Sequence, residues 1–474
     1  MIPKYTLEYL IINLINLESK IFSLPESFEQ QFKRPKGFPS SLRGRWFLNG
    51  PAGFSSPIYK HWLDGDGMLR MLSFGDEIIY KGIYIDTQKR IDEKDIKKPL
   101  YRTFGTSFKS DQLRKNIALR TPANVSVFSY ADRLLCFGEQ SLPLEVDTFT
   151  GRTKGEWLFH NKLNPLSQIS AHPKIIDNEF VNFGVRYLKN KATIDISGFD
   201  IDWNKILRKR VDLDYPYYIH DFSLTSNYII FYLSPYFFNI SSFIQKKKSV
   251  SESLEWKNSL NSVLLIVEKN DLEMIHFIDL GNPNFVLHHI NSYESDLLLQ
   301  VDVLENMVPY YNKYDKNEGI LNNMGNTSVV RYTVDIEDWK LLDKKINSYS
   351  NLHLDFPHIS SVKRGKEYKE FWSLGLDIKS KQQNYYNQLL KFDWNNFDFI
   401  SVFKSPRNKI LSSEPCLIYD KYYEHNFLIL QEYDLMNDKS SLIIFDSNNI
   451  ESGPKFSFQL NSFDPLGFHT FFNP

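Results

Sequence analysis

Three observations predict an all-β fold for this 474-residue chain. Short apolar runs of strand length recur from about residue 40 to the end, turn-forming residues close nearly every run, and aromatic residues reach 15%, with 37 Phe and 27 Tyr. The runs include residues 78–85, 125–130, 134–137, 180–187, 228–233, 262–268, 297–303, 427–432 and 442–445. Gly, Asn, Asp, Pro or Ser stands at the end of nearly every one, where tight turns need positive φ or a side chain that bonds its own backbone.

The N-terminus is the exception. Over residues 5–19, Leu7, Leu10, Ile11, Leu14 and Leu17 recur at three- and four-residue spacing while Lys4, Glu8 and Glu18 interrupt them, which describes an amphipathic helix. Such a helix either packs on the body of the protein or lies on a membrane surface. A second aromatic patch, Tyr236–Phe238 beside Pro235, reads as buried strand and loop, with the same alternative of membrane contact. No Pro-, Gly- or Ser-rich linker divides the rest, so a lead-in over residues 1–40 and one domain over 41–474 are expected. Residues 246–257 and 310–326 read as solvated insertions. No sequence period marks repeats, although propeller blades can diverge beyond recognition.

Bulk properties narrow the function. With 56 basic and 57 acidic residues the net charge is −1, so no global field favours nucleic acid. Only Cys136 and Cys416 occur and no leader pattern precedes them, so a disulfide framework is not expected and a reducing cytoplasm is. No apolar run reaches the roughly 18–20 residues that span a bilayer. Phosphate-binding loops, dinucleotide turns, nucleophile elbows and helical two-histidine zinc motifs are all missing from the sequence. Asp64-Gly65-Asp66-Gly67-Met68 fails as a calcium loop, because Met68 stands where an acid or amide is needed, and suits a tight turn instead.

What remains is a set of histidines in distinctive company. His172 lies in Ser170-Ala171-His172-Pro173-Lys174 and His220 in Ile219-His220-Asp221-Phe222-Ser223. His288 lies in Phe285-Val286-Leu287-His288-His289, and His469 in Gly467-Phe468-His469. His289 alternates to the opposite face of a strand from His288 and reads as structural, as does His61. Asp221 either orients the segment after His220 or caps a turn.

Together with His61-Trp62-Leu63-Asp64-Gly65-Asp66-Gly67-Met68 and Asn49-Gly50-Pro51, these blocks resemble the carotenoid cleavage oxygenases, in the same order and over nearly the whole chain from about Leu42 to His469. The resemblance implies a seven-bladed β-propeller with one iron(II) on its axis, held by His172, His220, His288 and His469, under a cap of loops and helix that forms an apolar tunnel. It also implies carboxylates behind three of those histidines: Glu139 behind His220, Asp355 behind His288, and Glu414 behind His469. Asp355 stands where the family usually has Glu, so either the backbone shifts or a water bridges the gap. Ala123 stands where relatives often carry a bulkier side chain near an open metal position.

Ligand separations of 48, 68 and 181 residues mean that the site forms only in the folded ring. Residue chemistry alone admits zinc, copper or nickel; iron(II) is what the resemblance implies. The expected reaction is cleavage of a conjugated double bond in a carotenoid or apocarotenoid, with dioxygen as co-substrate and an apolar polyene bound along the tunnel. Three alternatives keep the fold: cleavage of a stilbene-type phenylpropanoid, retinoid isomerisation with ester cleavage, and a non-catalytic propeller that binds lipid or protein. A Tyr and Lys pair beside the metal would favour the stilbene.

Overall fold

The computed structural model describes residues 17, 20, 25–54, 56–115, 117–310, 321, 324–379, 385–420 and 426–474. The amphipathic segment expected over 5–19 lies outside these residues, except for Leu17, which is fully buried.

Seven antiparallel sheets follow one another around an axis. Blade 1 is five-stranded, in the spatial order Phe28–Phe32, Ile78–Tyr84, Gly67–Phe74, Gly44–Pro51 and Thr470–Asn473. Blades 2 to 7 have four strands each, spanning residues 126–156, 174–213, 223–279, 285–348, 352–404 and 409–459, with the first strand of each innermost. The ring closes where the C-terminal strand pairs with Gly44–Pro51, Leu48 opposite Thr470 and Arg45 opposite Asn473. Because Phe28–Phe32 already forms the outer strand of blade 1, the propeller begins before the boundary expected at residue 41.

Burial follows from this stacking. A middle strand such as Leu298–Asn306 is covered on both faces by neighbouring blades, so eight of its nine residues are buried. An outer strand such as Lys340–Ser348 meets water and carries Lys340, Asp343, Lys344 and Lys345, charges that discourage pairing with another chain. Separate apolar clusters fill the wedges between blades, for example Phe183, Ile194, Phe231 and Leu265 between blades 3 and 4.

A cap covers one end of the ring. It includes the helix Gln88–Ile96, capped by the Thr87 hydroxyl accepting from Arg90 N–H, and a ribbon pairing Tyr236–Phe238 with Leu254–Trp256. Tyr236, Phe237 and Phe238 are buried, so the patch read as an alternative membrane contact is cap interior. The supposed wet insertion at 246–257 is exposed at Lys246–Lys248 and Glu252, but Val250 is buried and Leu254–Trp256 is strand. In 310–326, Tyr310, Leu321 and Met324 are buried in the cap cluster, and residues 311–320, 322 and 323 lie outside the described set.

The Asp64–Asp66 block clamps this cap. Asp64 accepts from Gly105 N–H at 2.7 Å and Thr106 Oγ1 at 2.6 Å, and Asp66 takes Lys89 Nζ at 2.9 Å, a lysine that also meets Glu93 at 3.1 Å. His61 caps the short turn Trp62–Asp64, its Nδ1 accepting from Leu63 N–H, in the structural role expected of it. Gly67 permits a close approach of blade 1 to the segment leading into blade 2: a Cβ there would stand 2.3 Å from Ala123 O.

Candidate metal centre

Each of the four histidines sits at the axis because it belongs to, or directly precedes, an innermost strand. His172 precedes Lys174–Ile176 of blade 3, His220 precedes Ser223–Leu224 of blade 4, His288 lies within Phe285–Ser295 of blade 5, and His469 precedes Thr470–Asn473 of blade 1. One ring nitrogen from each converges, all within 4.8 Å of one another. The Nε2 atoms of His172 and His220 are 2.9 Å apart, and those of His220 and His288 are 3.3 Å apart. Two imidazoles sharing an ion at about 2.1 Å stand roughly 3.0–3.4 Å apart at octahedral to tetrahedral angles, so the donor set fits one metal ion.

The second ring nitrogens confirm that fit. His288 Nδ1 is 2.6 Å from Asp355 Oδ1, His469 Nδ1 is 3.3 Å from Glu414 Oε2, and His220 Nδ1 is 2.8 Å from Glu139 Oε1. The carboxylates bonded to Nδ1 of His288 and His469 fix the proton there and leave the Nε2 lone pair for a metal, whereas Glu139 stands at ion-pair distance from His220 without a hydrogen bond. Glu139 belongs to blade 2, Asp355 to blade 6 and Glu414 to blade 7. All seven blades therefore contribute, four with a histidine and three with a carboxylate.

Burial and the crowd of imidazoles hold His172 well below the ordinary imidazole range, so it stays neutral. Burial likewise lowers His469 against the opposing pull of Glu414. At His288 burial acts downward too, but the charge and hydrogen bond of Asp355 overcome it and raise the group. Burial alone would lift Asp355; His288 outweighs it and brings the carboxyl down to about 2. Glu414 is held far below the carboxylate range, the bonds from His358 and His469 overcoming burial.

Local backbone distortions bring these carboxylates to the axis. Gln140, beside Glu139, has φ 47°; Phe356, beside Asp355, has φ 55°; Ser413, beside Glu414, has φ 65°. Positive φ in non-glycine residues costs on the order of 1 kcal/mol each and marks places where surroundings over-determine the chain. Strand register shifts between Asp355 and His358 and between Ser412 and Cys416 accompany them. Asp355, though the shorter side chain, reaches His288 directly at 2.6 Å from the same kind of distorted backbone that carries Glu414. Gly138 leaves room at Glu139, since a Cβ there would lie 2.4 Å from Thr121 Oγ1.

Two residues that the sequence did not single out complete the set. Tyr310 hydroxyl donates to Asp355 Oδ2 at 2.8 Å. Leu417 N–H donates to His358 Nε2 at 3.1 Å, which places the imidazole proton on Nδ1, and that proton is donated to Glu414 Oε1 at 2.9 Å. The only sequence signal for His358 was its position three residues after Asp355 on the same strand.

Other expectations are adjusted. Ala123 packs with Phe47, Leu69 and Val127 between blades 1 and 2, and it is Val125 whose carbonyl accepts His469 N–H at 3.4 Å. Asp221 orients the segment after His220: it accepts His289 N–H at 2.9 Å and pairs with Lys174 Nζ at 2.7 Å, linking blades 3, 4 and 5. His289 turns to Ser223 Oγ at 3.1 Å, a partner distinct from those of His288.

Aromatic rings crowd the cap side of the histidines. Phe356 lies 5.3 Å from His469 and 5.9 Å from His288 between ring centres, stacks on Phe468, and Trp62 packs on Phe468 at 4.5 Å. A cavity of about 800 Å³ begins under the cap among Phe104, Leu119, Tyr218, Phe238 and Phe243 and is walled on its inner side by Glu139 and Gln140. A smaller axial cavity of about 90 Å³ touches His172, His288 and His469 from the other end.

Residues 24–474 match the family described as retinal pigment epithelial membrane protein. The isoeugenol monooxygenase of Pseudomonas nitroreducens is 21% identical over 433 residues, covering 88% of each chain. The apocarotenoid-15,15'-oxygenase of Synechocystis is 24% identical over 293 residues, 58% of this chain and 59% of that one. Among solved structures, a Synechocystis apocarotenoid oxygenase variant superposes with a TM-score of 0.85 at 18% identity, covering 97% of this chain and 98% of that one. The family match over nearly the whole length, with the propeller built in the same way, shows that the chain belongs to the retinal pigment epithelial membrane protein family, the carotenoid cleavage oxygenases.

Proposed function

We propose that this protein is an iron(II)- and dioxygen-dependent oxygenase that cleaves a conjugated carbon–carbon double bond of a carotenoid or apocarotenoid into two carbonyl products. The observation that carries the reading is the four-histidine cluster, three of its rings held from behind by carboxylates, beside a large aromatic cavity. Relatives named as oxygenases of apocarotenoids and carotenoids support the reaction class.

His172, His220, His288 and His469 would hold the ion, and iron(II) bound there would supply the activation of dioxygen that a closed-shell metal such as zinc does not. The chain's own residues do the rest. Asp355 and Glu414 fix two tautomers, so that those ligand atoms are presented without a proton to displace, and Glu139 sets a negative charge behind the third ring. Phe356, Phe468 and Trp62 exclude water from the cap side of the centre and present a flat apolar wall to a polyene. Atoms balance without a side-chain acid or base, since both oxygen atoms enter the two carbonyl groups. Ile117 and Leu188, exposed by 56% and 77% at the edge of the cavity, fit delivery of an apolar substrate from a lipid surface.

A second reading, cleavage of a phenylpropanoid, is favoured by relatives that include an isoeugenol monooxygenase and a lignostilbene dioxygenase of Sphingomonas paucimobilis, each matched over 88% of its length. Within the cavity lining, however, Lys162 is engaged with Trp203 O and Asn204 and Tyr187 with Tyr217 O, so these two do not form the phenol-binding pair. Incubation of anaerobically purified protein with carotenoids, apocarotenals and stilbenes under labelled dioxygen separates the readings by product. About one iron per chain and loss of cleavage in His220→Ala are expected. Cleavage that survives His220→Ala refutes the metal-dependent reaction.

A further inference from the structure

The large cavity changes character along its length. Its cap end is aromatic, but the face of blade 3 that forms its far wall carries charge. Strand register places Asp195 opposite Arg210 and Ser197 opposite Arg208, so these side chains share one face with Arg186. Lys162, from the loop covering the cleft between blades 2 and 3, and Lys205 complete the wall.

Five cations, Lys162, Arg186, Lys205, Arg208 and Arg210, therefore line this end beside Asp195, with Asp200 near Lys162 and Asp212 next along the face of Arg210, and they outnumber the carboxylates in a chain whose net charge is −1. Asp195 is already shared, by Arg186 Nε at 2.5 Å and Arg210 Nε at 2.8 Å. Lys162 Nζ binds only neutral oxygens, Trp203 O at 2.9 Å and Asn204 Oδ1 at 3.2 Å, and Lys205 Nζ reaches Lys162 O at 3.5 Å. Burial and then Arg208 hold the Lys205 ammonium below its ordinary value, with Asp195 opposing and Lys162 adding to the repulsion. Lys162, Arg186, Arg208 and Arg210 are exposed and Lys205 is half-buried, so this end of the cavity opens to solvent with an excess of positive charge that favours an anion there.

We infer that this end of the cavity binds a carboxylate carried by the substrate at the end remote from the bond that is cut, with Lys205 and Arg208 as its principal partners. The inference rests on the cleavage reading for the identity of the apolar part of that substrate. The aromatic cap end takes the polyene and the cationic end takes the acid group, so an apocarotenoid acid is preferred over the aldehyde or alcohol of the same chain. Arg208 and Lys205 act in specificity and make no contact with the histidines.

The test measures binding, so it reads out whether or not any compound is cleaved. Quenching of tryptophan fluorescence by all-trans-retinoic acid and by all-trans-retinal gives dissociation constants for the native protein and for Lys205→Glu/Arg208→Glu. Native protein is expected to bind the acid at least about tenfold more tightly, and the double variant to lose roughly 10–100-fold of that preference, the worth of one charge-assisted hydrogen bond or more. In native protein the preference should also shrink with added salt, which needs no variant to fold. Equal binding of acid and aldehyde by native protein, or a preference untouched by both the variant and salt, overturns the inference. So does a double variant that loses binding only to vesicles of anionic lipid, since the cations would then serve a headgroup. Absence of cleavage with the acid preference intact would count against the proposed reaction and leave this site standing.

Discussion

Asp355→Asn tests how the third histidine is held. The native carboxylate accepts from His288 Nδ1 at 2.6 Å and Phe356 N–H at 2.8 Å on one oxygen, and from Tyr310 hydroxyl at 2.8 Å on the other. An asparagine can keep its carbonyl toward His288 and Phe356 and turn its amide to Tyr310, whose hydroxyl can accept instead of donate. Shape is thus preserved and one charge is removed. A hydrogen bond to a charged acceptor contributes about 1.5–3 kcal/mol and a neutral one about 0.5–1.5 kcal/mol, so the loss is near 1–1.5 kcal/mol, or about tenfold in metal affinity. Asp355→Ala, which leaves the His288 N–H without a partner, should reach the upper part of the roughly 10–100-fold range for such outer contacts. Competition of the loaded protein against a calibrated chelator measures both. The reasoning is refuted if Asp355→Asn binds metal within about twofold of native, or if alanine is no worse than asparagine.

Three further outcomes follow from the same geometry. Stripping the metal should lower the thermal unfolding midpoint, because the ion binds the folded ring and not the unfolded chain, and His220→Ala should show the lower midpoint with or without added metal. Acid should destabilise the fold: Asp355 and Asp221, at about 2 against an ordinary 3.8, stabilise fully above about pH 4 and lose that contribution as pH falls through 2. Unfolding midpoints against pH should therefore drop steeply below about pH 4, and Asp221→Asn should flatten that drop. Deleting residues 470–474 should abolish the folded ring, whereas His469→Ala should keep the ring and lose the metal; circular dichroism and metal content on both variants check this.

The parts legible in the sequence are those written in local pattern. Strand runs at 228–233 and 427–432 fell on observed strands because short continuous apolar runs closed by turn residues are local facts. The four histidines and three carboxylates were legible through the blocks around them. What stayed hidden depends on contacts between distant segments. Tyr236–Phe238 was legible as buried strand, but nothing local announces that its partner is Leu254–Trp256 under the cap. The reach of Asp355 depends on the bulge between Asp355 and His358 and on Phe356 at φ 55°, which no propensity predicts for phenylalanine. His358 was passed over because its role is to hold Glu414, and that pairing crosses from blade 6 to blade 7.

The division of the site among the blades explains why the chain must be a closed ring to function at all. Blades 1, 3, 4 and 5 bring His469, His172, His220 and His288, while blades 2, 6 and 7 bring Glu139, Asp355 and Glu414 as their outer partners. An arc lacking any one blade lacks either a ligand or the carboxylate behind one, so no partly folded ring offers all four ligands with their supports. Glu414 sharpens the point: it meets His469 and Thr470 N–H across the seam where the C-terminal strand completes blade 1. The residue that orients the last ligand is thus also a bond of ring closure, and metal affinity reports whether the propeller has closed.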